Sequence, residues 1–339
     1  MTDPTTRIPR EGPDPITQPV ARVEPRTPVL GQPAVHPRPT GPRAAVGARH
    51  APRAHAARAL PRLSALLTAA LGVVLLAMLA RFSLGSVRGQ RLDESALAGA
   101  EFGRGTLWQF GEPVLDVVSV SFVVIVVGAS VLIAFARRRW ALAVQVALLV
   151  GGSNITTQLL KHRILEREDL GVLTERPGNS LPSGHTTVAA SVSMALLLVV
   201  PRRMRPLVAL AGATYTALTG VSTMIGGWHR PSDVVAALLV VLVWTAFALM
   251  LTTPTGLDHD GSHAIVTSAI AATLLGAGTV IAAALAYGMS TGAVSLFAQH
   301  GPQVVDYVTT ALAAVATTGA VFTVGLLLRQ STARGRHVR

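Results

Sequence analysis

Apolar runs close to the thickness of a bilayer recur eight times along this chain, and they limit its fold more than any other feature. They cover 63–84, 117–136, 141–160, 186–200, 207–224, 234–251, 264–287 and 309–328. A helix crosses the hydrocarbon core with about 20 apolar residues, and inside that core it satisfies its own backbone polar groups. The expected fold is therefore all-α, a polytopic membrane helical bundle. Half of the 339 residues are hydrophobic, yet only 4% are aromatic. The apolar mass is Ala, Val and Leu, which lets helices approach closely in lipid. The chain has no cysteine, which excludes disulfides, thiolate chemistry and cysteine-ligated zinc.

The polar remainder divides the chain. Residues 1–60 are rich in Pro and Arg and show no apolar periodicity, as expected of a disordered tail. No short apolar run with a small-residue cleavage site follows the early basic region, so no signal peptide is expected. Residues 61–253 form a first membrane block and 254–330 a pair of additional helices, followed by a basic tail at 331–339. The formal charge of +12 belongs largely to the ends, with ten arginines in the first 62 residues and four from Arg329 onward. That distribution fits an anionic membrane surface, and no nucleic-acid partner is expected. Arginine-dense loops mark the cytoplasmic side. Arg137-Arg138-Arg139, Arg202-Arg203-Met204-Arg205 and the C-terminal tail then face the cytoplasm of a plasma-membrane protein, with both termini inside. Segments 85–113, 161–185, 225–233 and 288–308 face out. The first is too polar to cross and reads as a short amphipathic surface helix, with Trp108 and Phe110 at the interface.

Two of the outer segments hold nearly all the candidate chemistry. One runs Lys161, His162, Arg163, Arg167, Arg176-Pro177 and then Pro182-Ser183-Gly184-His185. The other runs Ser222-Thr223-Met224-Ile225, two glycines, then Trp228-His229-Arg230-Pro231-Ser232-Asp233. Lys161 is the chain's single lysine. Ser183 and Gly184 precede a helix, whose N-terminal N–H groups and dipole favour an anion. Lys161 and Arg167 add cationic donors. His229 and Asp233 are four apart, so on a helix they share a face. A carboxylate on one ring nitrogen leaves the other free to attack, and His185 is free to give or take a proton. This pattern points to phosphoryl transfer through a phosphohistidine, with no metal and no cofactor. The rival reading is a zinc site on His185, His229 and Asp233, which the neighbouring cations disfavour.

These segments resemble the type 2 phosphatidic acid phosphatase (PAP2) superfamily, which includes membrane lipid phosphatases and soluble vanadium haloperoxidases. Pro182-Ser183-Gly184-His185 matches its second motif in full. His229 and Asp233, with Ser222 at the start, match the third, and Lys161 and Arg167 resemble the first. The resemblance covers roughly 60–253 and implies a six-helix core with two further C-terminal helices. It implies His229 as nucleophile, Asp233 as its orienting partner and His185 as acid and then base. Lys161, Arg167, Ser183, Gly184 and Ser222 would hold the phosphate. The implied substrate is a lipid phosphate or pyrophosphate in the membrane, hydrolysed at the outer face.

Two positions depart from the pattern. Glu168 stands where proline follows the first-motif arginine, and Thr223 stands where the third motif has arginine. Arg230 and Arg163 are the nearest cations that could replace the latter. The same phosphoenzyme could serve a lipid phosphotransferase, and the loss at Thr223 keeps a non-catalytic membrane protein or transporter of the same fold in play. The small-residue content of the last two helices fits packing on the core or on another subunit, which leaves a homo-oligomer open.

Overall fold

The computed structural model describes residues 51–117, 128, 140–174, 176–251 and 263–332. Among these there are helices and no strands. In chain order they are α1 (Ala51–Gly85), α2 (Val87–Gly99), α3 (Glu101–Val117), α4 (Trp140–Leu159), α5 (Gly184–Val199), α6 (Arg205–Ile225), α7 (Pro231–Met250), α8 (His263–Ser290) and α9 (Pro302–Thr332). Six are long and apolar enough to cross a membrane, counting the flanking turns of α4 and α6, so the protein is a multi-pass membrane protein. The expected run at 117–136 falls almost wholly outside the described residues, as do most of the N-terminal tail and the 252–262 loop.

Three expectations change. The tail was expected to be disordered through residue 60, but α1 already begins at Ala51. The stretch APRAHAARAL is rich in Ala and Arg, both strong helix formers, and it runs on into the first span. The fourth run forms a helix of only 16 residues. At 1.5 Å per residue it is about 24 Å long, short of the hydrocarbon core. The polar segment at 85–113 is not a single surface helix. It forms α2 and α3, and α2 buries Gly89, Gln90, Asp93, Ala96 and Gly99. α2 packs on α9 and α1, while α3 packs on α6.

α7 is the central helix. It packs on α1, α4, α5 and α9 and buries Leu238, Val241, Ala246 and Leu249 among its neighbours. Small residues allow these close crossings. Gly152 of α4 lies flat against Trp244 of α7, so near that a Cβ there would sit 2.6 Å from the indole ring. The indole Nε1 donates to Thr156 on the same helix at 3.0 Å. This crossing fixes the spacing of the two helices that carry Lys161 and Asp233. Gly152→Ala should therefore cost about 1–3 kcal/mol through overpacking, read as a lower thermal unfolding midpoint in detergent.

Candidate active site

Every motif residue lies at one end of the bundle. α4 does not stop cleanly there: its last turn, Leu160–Ile164, widens into a π-turn closed by the Leu165 N–H on the Leu160 carbonyl at 2.9 Å. Such turns re-aim side chains and are frequent at functional sites. This one carries Lys161, His162 and Arg163. Asn179 then ties the loop together. Its Nδ2 donates to the carbonyls of Lys161, Leu165 and Leu181 at 3.2, 3.0 and 3.1 Å. The chain that leaves α4 is thereby held against the chain that enters α5.

α5 starts at the Pro-Ser-Gly-His stretch. Ser183 is its N-cap, and its Oγ accepts from the Thr186 N–H at 3.3 Å. The Ser183 N–H donates to the Asp233 carbonyl at 2.9 Å, which joins the two motif loops through their backbones. Gly184 and His185 occupy the first helical positions, where N–H groups have no partner within the helix. Thr157 and Thr187 hydroxyls meet at 2.9 Å and lock α5 to α4. Asn154, one turn earlier on α4, reaches Ser191 at 3.4 Å, as expected for a residue bridging helices.

Opposite, α6 ends at Ile225 and α7 starts at Pro231, with Pro at the first helical position, where the missing N–H costs nothing. His229 Nδ1 donates to Asp233 Oδ2 at 3.0 Å, and the Arg230 N–H donates to the same oxygen at 2.9 Å. The ring is buried and its Nε2 is left free of that bond. The His185 and His229 ring centroids are 6.3 Å apart, so the two imidazoles face a common space. Trp228 walls it, 5.5 Å from His185 on one side and 5.5 Å from Trp108 of α3 on the other. Trp108 and Trp228 thus form one aromatic wall. His185 immediately precedes the apolar run at 186–200. Burial, then His229 and then Lys161, pull its pKa below the ordinary 6.5, so the free site holds it neutral near pH 7.

The electrostatic frame comes from α2, which the motifs did not point to. Glu94 Oε1 accepts from Arg167 Nη2 at 3.0 Å and from Arg230 Nε at 2.9 Å, while its Oε2 accepts from Thr174. Both arginine side chains are only 5% exposed. One carboxylate thus binds the first-motif arginine to the third-motif loop. Arg167 Nη1 is buried and has no hydrogen-bond partner among the described residues. Arg230 is different. Its Nη1 donates to Ser180 Oγ, and its Nη2 to Thr174 Oγ1 and the Arg176 carbonyl. It is fully engaged as a clamp and does not stand in for the arginine absent at Thr223. Arg163 is exposed on the outer flank of the π-turn. Thr223 itself is buried, and its hydroxyl donates back to the Gly220 carbonyl at 2.7 Å. Ser222 lies against Gly111 of α3, and no described hydrogen bond links its hydroxyl to the two histidines. Among the described residues no group of three or more His, Asp or Glu side chains converges as a metal site.

Asp93 supports the other flank. Ser232 Oγ donates to its Oδ2 at 2.6 Å and the Ser232 N–H to its Oδ1 at 3.3 Å. Burial pushes its pKa up to about 7, and Asp233 adds to the rise against the pull of Ser232 and Arg230. A carboxyl with a raised folded-state pKa contributes stability below the unfolded value of 3.8, and loses it as pH climbs to about 7. The wild type should lose on the order of a few kcal/mol across that window. Asp93→Asn should flatten this part of a plot of unfolding midpoint against pH.

Two histidines, a bracing carboxylate and a guanidinium with one unbonded nitrogen thus gather at one end of a bundle of apolar helices. Residues 142–256, a segment that contains all three motif regions, match the family model of the PAP2 superfamily. Among solved structures, the crystal structure of the first transmembrane PAP2 type phosphatidylglycerolphosphate phosphatase from Bacillus subtilis is similar over 54% of this chain and 92% of its own, at 22% identity and a TM-score of 0.40. Comparison with curated proteins gives no match.

Proposed function

We propose that the protein is a phosphatase that hydrolyses a lipid phosphate or pyrophosphate through a phosphohistidine on His229, without a metal. The observation that carries this reading is the His229–Asp233 bond at 3.0 Å, with a second histidine facing the same space. With Nδ1–H held by Asp233, the Nε2 lone pair attacks phosphorus. The bond from phosphorus to the ester oxygen breaks, and His185, protonated beside the bound dianion, gives that oxygen its proton. Water then attacks the phosphohistidine while His185 takes a proton back. The N–P bond breaks, releasing inorganic phosphate and restoring both rings. Lys161, Arg167 Nη1, Ser183 and the N–H groups of Gly184 and His185 neutralise the phosphoryl oxygens. We place this end of the bundle on the extracytoplasmic face of the plasma membrane, with both termini inside, because Arg202, Arg203, Arg205 and Arg329 gather at the other end, where Arg202 Nε donates to Gln330 Oε1. The membrane bundle favours a lipid as substrate.

The test is phosphate release by the full chain in detergent, with a chelator present, across lipid mono- and diphosphates. Release that survives chelation and is blocked by vanadate is expected. Metal-dependent release would favour the zinc reading. No release from any substrate would favour a non-catalytic role, for which the inward-turned Thr223 hydroxyl is the motive.

A further inference from the structure

A second cationic feature adjoins the site and takes no part in the chemistry above. A cavity of about 530 Å³ opens between α2, α3 and the loop before α5, with Arg104, Arg176, Glu101, Gly227 and Gln303 on its lining. Arg176 and Gly227 also line a smaller cleft of about 60 Å³ together with Trp228 and His229. The two spaces therefore share a boundary, and that boundary is two residues from His229.

Two like charges converge there. Gly227 has φ +66°, a conformation that favours glycine, and it presents bare backbone. The point where a Cβ would stand is 2.5 Å from Arg104 Nη2 and 3.7 Å from Arg176 Nη2. Arg104 is held in place by its Nε, which donates to the Ile225 carbonyl at 2.9 Å. Its acidic neighbour, Glu101, is 3.8 Å away and exposed, beyond hydrogen-bond range. The Arg176 side chain makes no hydrogen bond to a described residue. Its backbone is nonetheless pinned, the N–H to Thr174 Oγ1 at 3.1 Å and the carbonyl by Arg230 at 2.7 Å. Glu94, the other acid on the cavity, already serves Arg167 and Arg230. Two guanidinium groups brought this close repel each other, and an anion between them relieves the repulsion.

We propose that Arg104, Arg176 and the bare backbone of Gly227 form a second anion subsite that takes another negatively charged group of the same substrate. The substrate would then carry two phosphate-like groups, either as a diphosphate or as a monoester with a separate anionic headgroup. The proposal rests on the reading of His229 as the phosphoryl acceptor.

The variant to use is Arg176→Gln, because its side chain supports no described hydrogen bond and the fold should be untouched. Three substrates with matched hydrocarbon chains are compared: a monophosphate with no other charge, a diphosphate, and a monophosphate with a distant anionic headgroup. A lost charge-assisted bond predicts a fall of about 10-fold or more in kcat/KM for the doubly anionic substrate that uses the subsite. The singly charged one should change less than about 2-fold on the same scale. Which doubly charged substrate responds identifies the source of the second anion. An equal fall for all three, or none, overturns the proposal. A binding arm separates this failure from failure of the phosphatase reading. Inorganic pyrophosphate should bind the full-length wild type more tightly than inorganic phosphate, and the advantage should vanish in Arg176→Gln. Equal affinity of the two anions for the wild type would also overturn the subsite, whether or not any substrate turns over.

Discussion

Replacing His229 with glutamine should lower phosphate release by about 10⁴-fold or more, the scale seen when a nucleophile is removed from a braced catalytic pair. Asp233 holds Nδ1 at 3.0 Å and is itself fixed by the Arg230 N–H at 2.9 Å. That bond favours one tautomer and one orientation of the ring and leaves Nε2 as the nitrogen for the proposed phosphoryl transfer. Glutamine can still donate to Asp233 but has no lone pair that can accept a phosphoryl group. Stability should change little, because the ring contributes a single hydrogen bond worth about 1 kcal/mol. An assay of phosphate release beside a thermal unfolding curve checks both halves. Asp233→Asn should fall by a similar factor through the wrong tautomer, with the histidine still present.

Glu94→Ala should have the second largest effect, and it acts on both the fold and the site. The Glu94 carboxylate is 14% exposed and holds Arg167 and Arg230, whose side chains are 5% exposed. Removing it leaves two buried guanidinium groups facing each other without a counter-charge, a loss of about 3–5 kcal/mol. Arg230 also clamps Ser180 and the Arg176 carbonyl, so the loop before α5 should loosen with it. Arg167 loses the bond that holds its guanidinium in place. The expected readout is a lower unfolding midpoint together with a raised KM. Glu94→Gln keeps an acceptor while removing the charge, and should fall between the two. If Glu94→Ala left both unchanged, α2 would be no more than packing.

The comparison of sequence with structure turns on where the information lies. The apolar runs set the helices at 60–85, 140–164, 202–225, 231–250, 266–290 and 302–332, because length and hydropathy alone decide what can cross a bilayer. Pro-Ser-Gly-His and the His229–Asp233 spacing were legible because their geometry is local: a helix start in one case, one helical turn in the other. Asp93 and Glu94 were not legible. They reach Ser232, Arg167 and Arg230 across 73 to 139 residues, and their segment reads as a polar surface helix. One local signal was present: adjacent carboxylates beside Ala96 and Gly99 in a stretch whose small residues allow burial. Arg230 shows the reverse error. Its nearness to His229 in sequence made it a candidate phosphate ligand, while its four side-chain bonds make it structural.

The proposed mechanism stands on a covalent intermediate at one nitrogen, His229 Nε2. Full-length protein in detergent, mixed with a lipid phosphate bearing a labelled phosphoryl group and quenched within one turnover, tests it most directly. The label should survive alkali, be lost in acid as expected of an N–P bond, map to the peptide containing His229, and be absent in His229→Gln. Turnover at full rate with no label on that peptide, or an acid-stable label on a hydroxyl side chain, would contradict it.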